Sequence, residues 1–124
     1  MKLFLLLTGL SFLLLSNDKC GKKNTAGKYK ARLEIAGICL NYTIKLLEGD
    51  IDTSKIVTNW TDEMTGKSYT NVFALTNPCL LPKTIRQGDE FYFTIDFPVK
   101  QECITCLAYY PKPPKTLPIV VVEK

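Results

Sequence analysis

From Lys28 onward the hydrophobicity of this chain repeats every two residues, and that period limits what it can build. The run from Glu90 to Phe97 is the strongest instance. Phe91, Phe93, Ile95 and Phe97 fall on one face, and Glu90, Tyr92, Thr94 and Asp96 on the other. Strand side chains alternate between faces, so a slip of one residue would turn three phenylalanines into water. The pattern predicts a core-defining strand closed by Pro98. Tyr29, Ala31, Leu33 and Ile35 alternate in the same way with Lys28, Lys30, Arg32 and Glu34, until Gly37 ends the strand. Tyr42, Ile44 and Leu46 then alternate with Thr43 and Lys45 up to Glu48-Gly49-Asp50. The short link between these two strands predicts a hairpin with a wet outer face.

The rest of the chain reads as strands and turns. Ile56–Asp62 and Tyr69–Thr76 form a second pair around the turn at 63–67, where Gly66 supplies a positive φ. Asn77-Pro78 stops that pair, and residues 80–85 are too short for more than one helical turn. A long proline-rich connection at 98–116 leads to a final strand, Leu117–Glu123. There is no long amphipathic helix and no internal repeat.

Five or six short strands around one core define an all-β protein, either a sandwich or, as the expected form, a small antiparallel barrel with disulfide-stapled loops. The order of a meander, a linker and two more strands resembles the OB fold. Through the stretches 30–39, 88–93 and 117–121, residues 28–124 also resemble small exported bacterial domains with an OB-like β-barrel. The resemblance implies a fold and no activity, and it leaves 50–68 as an extra hairpin or insertion.

The other end of the chain sets the expected compartment. Met1-Lys2 precedes an apolar run from Leu3 to Leu15, too short to span a bilayer, and Ser16 is small. Residues 1–16 therefore read as a signal peptide, 17–27 as a flexible polar leader and 28–124 as a single domain. The expected destination is the periplasm, the cell surface or the medium. Cys20 is a candidate lipid-attachment site, although Asn17-Asp18-Lys19 puts charges where lipoprotein processing prefers small apolar residues. Lys19, Lys22, Lys23, Lys28, Lys30 and Arg32 carry the basic excess of a chain whose net charge is +4. That cluster and Cys20 are the two candidate membrane tethers. From Leu33 onward nine basic and eleven acidic residues leave the body near neutrality, which argues against a nucleic-acid partner.

The 124 residues include no histidine, which excludes a Ser-His-Asp triad, a Cys-His nucleophile and any His-ligated metal. No cofactor motif is present. Gly66-Lys67-Ser68 lacks the first glycine of a phosphate loop, since Thr61 stands there. Asp62-Glu63 and Asp89-Glu90 are neighbours that point to opposite faces of a strand, so they read as solvated edge charges, with Asp89 closing a turn after Gly88.

In an oxidising compartment Cys39, Cys79, Cys103 and Cys106 read as disulfide material. Either Cys39 and Cys79 each pair with one of Cys103 and Cys106, or Cys39 pairs with Cys79 and Cys103 with Cys106. The C-x-x-C at 103–106 admits a thiol oxidoreductase, but Glu102 beside it would raise the thiol pKa. A single C-x-x-C is also a poor match to a four-cysteine zinc site.

Asn41 and Asn59 head N-glycosylation sequons. Trp60, Tyr92, Tyr109 and Tyr110 are candidates for an exposed binding surface, with Tyr109 and Tyr110 expected at the cysteine-bearing loop end. The expectation is a non-catalytic binding or structural role at the cell envelope, toward an unknown protein or small ligand. The alternative is an interaction or inhibitor module that presents the 98–116 loop.

Overall fold

The computed structural model describes residues 27–96, 106 and 108–124. The apolar run at 1–16, the leader to residue 26 with Cys20, and Phe97 and Cys103 lie outside the described residues. Within them the chain is all-β, with three single 3-10 turns. The strands are β1 (Lys28–Ala36), β2 (Tyr42–Glu48), β3 (Val57–Thr61), β4 (Ser68–Leu75), β5 (Glu90–Ile95), β6 (Thr116–Leu117) and β7 (Ile119–Val122). They form one sheet in the order β3-β4-β2-β1-β5-β7, with β6 lying off this path beside β4. All pairings are antiparallel except the parallel β4–β6 pair.

The strand count exceeds the expected five or six because Pro118 divides the last strand. Before it, β6 sets Thr116 and Leu117 beside Ala74 and Leu75; after it, β7 runs along β5 from Tyr92 to Ile95. Proline cannot donate to a ladder, so it suits the point where a chain leaves one partner for another. The Pro118 carbonyl still accepts from Asp96 N at 3.1 Å. The turn expected within 80–85 is closed by Ile85 N donating to Pro82 O at 3.0 Å, and a 3-10 turn at Pro78–Leu80 precedes it.

The alternation builds the core as the sequence predicts. Ala31, Leu33, Ile44, Phe73, Leu75, Phe91, Phe93, Leu117 and Ile119 all belong to one buried cluster. Phe93 is fully buried at its centre, with ring centroids of Tyr29, Phe73 and Phe91 at 5.3, 5.8 and 6.2 Å. Burying one such ring contributes about 1.5–3 kcal/mol.

Two features depart from simple alternation. Val72, Phe73, Ala74 and Leu75 are buried in succession, on both faces of β4. Thr43, expected on a wet face, is fully buried, and its hydroxyl has no hydrogen-bond partner among the described residues. β4 lies between β3 and β2, pairing with β3 through Ser68, Tyr69, Thr70 and Val72 and with β2 through Val72 and Phe73. Asn71, within this stretch, has a left-handed φ of 53°. Asparagine tolerates that conformation better than most residues. Beside it Lys45 Nζ donates to Thr70 O and Oγ1 at 2.9 Å each.

Candidate functional site

The β1–β2 connection is a tight turn of unusual composition. Asn41 N donates to Ile38 O at 3.2 Å, and Gly37 N to Asn41 O at 3.1 Å. The two central residues, Cys39 (φ 57°) and Leu40 (φ 61°), are both left-handed. Such turns match the twist of a hairpin but usually carry Asn-Gly, because a side chain there costs about 1–2 kcal/mol per residue. The neighbouring strap, 108–116, crosses this turn. Cys39 is bonded to Cys106 at the start of the strap, with Cα atoms 5.5 Å apart. The ring of Tyr110 lies so close to Gly37 that a Cβ there would sit 2.6 Å from Tyr110 Cε1. This is why glycine ends β1.

Further contacts fix the strap to the sheet. Ala74 N donates to Lys115 O at 2.9 Å and Thr76 N to Leu117 O at 3.0 Å. The Tyr109 hydroxyl donates to the Glu63 carboxylate in the β3–β4 turn. That hydrogen bond raises the Tyr109 pKa above its ordinary value. Pro111 and Pro113 are buried, whereas Lys112 and Pro114 are exposed.

Between the turn and the strap lies a cavity of about 590 Å³. Of the residues singled out from sequence, Cys39, Cys106, Tyr109 and Tyr110 line it. Asn41, Tyr42, Ala74 and Lys112 are among the other lining residues, and none of the described ones is a carboxylate. Tyr42 had been legible only as a strand residue. Its place in the wall depends on a segment almost seventy residues further along the chain. A second hollow of about 490 Å³ is lined by Lys55, Ile95, Lys115, Leu117 and Pro118 among others, with no aromatic ring among the described lining residues.

Trp60 and Tyr92 are elsewhere. Trp60 is half-buried on β3, its ring centroid 5.8 Å from that of Tyr69. Tyr92 is on β5, with Lys28 and Lys30 Nζ at 5.3 and 5.8 Å from its ring. Lys30 also meets Glu90 at 3.3 Å, which raises the lysine pKa.

The acidic pairs separate in the same way. Asp62, read as a solvated edge charge, is instead buried, and its carboxylate accepts from Met64 N at 2.9 Å and Thr65 Oγ1 at 3.2 Å. It organises the β3–β4 turn, while Glu63 faces outward to Tyr109. Asp89 accepts from Arg86 N at 2.8 Å and so closes the turn before β5. Of the sequon residues, Asn59 is exposed, and Asn41 turns its amide into the β1–β2 turn, donating to Ile38 O at 2.9 Å.

The Cys39–Cys106 bond is one of the cross-loop pairings that the sequence admits, and it rules out the set in which Cys103 and Cys106 bond each other. Cys79 is disulfide-bonded as well, to a partner outside the described residues. Among the described residues no cluster of His, Cys, Asp and Glu could hold a metal ion, and no helix is long and apolar enough to cross a membrane. The chain matches no protein family, no curated protein and no solved structure.

Proposed function

We propose that this chain is an exported, disulfide-braced β-barrel of OB-like order that acts by binding in the cavity between the Gly37–Asn41 turn and the strap, without catalysis. The ring of pairings supports closure: β4, β2, β1, β5 and the β7–β6 run return to β4, with β3 outside the circuit as the extra hairpin. In an OB barrel the loop after the first strand and the loop before the last flank the ligand surface. The turn and the strap occupy those two positions.

The observation that carries the binding reading is the lining of the cavity. Tyr42, Tyr109 and Tyr110 offer aromatic rings, Asn41 and Lys112 offer polar groups, and none of the described lining residues is a carboxylate, with Glu63 held by the Tyr109 hydroxyl. That chemistry suits a small neutral or weakly anionic ligand with a flat ring, held by stacking and a few hydrogen bonds. The alternative, a proline-rich loop presented to a protein, has less support, because Pro111 and Pro113 turn into the body. The redox reading is weakened because Cys106 is engaged with Cys39. With Cys39 and Cys106 occupied, Cys103 is the favoured partner for Cys79. We further propose export through the 1–16 signal, with anchoring through Cys20 as an open branch.

Two measurements test this. Intact mass with and without reductant reports signal cleavage, acylation and the number of disulfides. A library of small ring-bearing compounds, including monosaccharides, is then screened by amide chemical shifts. The expected hits move residues 39–42, 74–75 and 108–116 and are lost in Tyr110→Ser. Hits that cluster elsewhere, or that survive Tyr110→Ser, would reject the cavity as the site.

A further inference from the structure

β3 ends the sheet order, and no described strand pairs with its outer edge. Exposed edges are usually blunted by lysine, proline, a bulge or a covering loop. Val57–Thr61 contains no charge, proline or glycine, and its register with β4 is unbroken. Thr58, Asn59 and Thr61 are exposed.

The hydrogen-bond parity of this edge is fixed. Asp62 N donates inward to Lys67 O at 2.8 Å, and Trp60 pairs with Tyr69. Inward groups recur every two residues, so Val57, Asn59 and Thr61 direct their N–H and C=O outward. The contact between Thr61 Oγ1 and Ser68 Oγ, at 2.8 Å, agrees with a pair that is not backbone-bonded.

We propose that this edge receives the same edge of a second copy, antiparallel about a two-fold axis at Asn59. Asn59 then meets the second copy's Asn59, and Val57 meets the second copy's Thr61, so all three outward residues of each copy are paired. About six backbone bonds form, two for each bonded pair. No charged residue is opposed within the strand. At each end Lys55 comes to the second copy's Glu63, and both are exposed. Glu63 gives one oxygen to Tyr109 and keeps the other. A shift of two residues either way loses a backbone pair and sets Lys55 against Thr61 or Val57 against Glu63. The register with Asn59 at the centre therefore satisfies backbone and charge together. This contact does not depend on the cavity reading, and it touches the cavity wall only through Glu63, which holds Tyr109.

One five-residue strand is a small contact, so the association belongs to the weak class. Sedimentation equilibrium of the purified protein, from about 10 μM to about 1 mM, should show a mass rising from monomer toward dimer. Asn59→Pro removes an outward N–H and leaves the β3–β4 ladder intact, so it should weaken the dimer at least tenfold with an unchanged circular dichroism spectrum. Lys55→Glu should also weaken it, and Lys55→Glu with Glu63→Lys should restore it. A protein that stays monomeric at 1 mM overturns the proposal and leaves the edge to some other extended segment. A dimer indifferent to Asn59→Pro, or a charge exchange that restores nothing, overturns it as well.

Discussion

Single positions in this molecule are constrained for different reasons, and two of its turn glycines, Gly37 and Gly66, separate those reasons. At Gly37 the backbone is extended, and the obstacle is steric: a Cβ would lie 2.6 Å from both Asn41 O and Tyr110 Cε1. At Gly66 nothing lies within 4 Å of a Cβ, and the obstacle is the φ of +72° alone. Gly37→Ala is expected to cost about 1–3 kcal/mol by overpacking and to displace Tyr110. Gly66→Ala should cost about 1 kcal/mol and leave Tyr110 in place. Urea unfolding, with the Tyr110 ring resonances as a local reporter, distinguishes the two. Sequence marks both glycines as turn residues and cannot rank them, because the wall that crowds Gly37 comes from the strap. The same applies to Asp62. Its place before Glu63 at a strand end reads as solvated, and only the folded turn shows that its carboxylate faces inward.

At the scale of the elements, the strands were legible and burial on both faces of β2 and β4 was not. Phe91 and Phe93 are buried and Glu90 is exposed, as the period requires. Burial of Thr43, Val72 and Ala74 departs from the alternation, and no local pattern encodes it. The β3–β4 hairpin depends on the turn that Asp62 organises. Asp62→Ala leaves Met64 N–H without its acceptor and should cost about 1–3 kcal/mol. Hydrogen exchange should show the loss first at residues 62–67, with the β1–β5 ladder still protected. Equal deprotection of the whole sheet would show that the hairpin is not a separate unit. The division of the last strand at Pro118 was likewise hidden. Leu117–Glu123 has uniform β propensity, and the proline changes meaning only once two different ladders compete for the chain.

At the scale of the whole molecule, the cysteines in their loops point to bracing, and the pairing across 67 positions is what the fold adds. A ring of that size should stabilise the folded state by about 4 kcal/mol on the chain-entropy account. The variant with Cys39→Ser and Cys106→Ser should therefore show a lower urea midpoint, and compounds that bind the cavity should lose affinity as the strap comes free. An unchanged midpoint would mean that Tyr109, Tyr110, the buried prolines and the Cys79 disulfide hold the strap without this bond. The bond has a further consequence outside any binding assay. It encloses β2, β3, β4 and β5 within one covalent circle. A protease that cuts once in the exposed turn around Lys67 opens that circle and releases no piece, so a first nick there would leave the chain covalently whole.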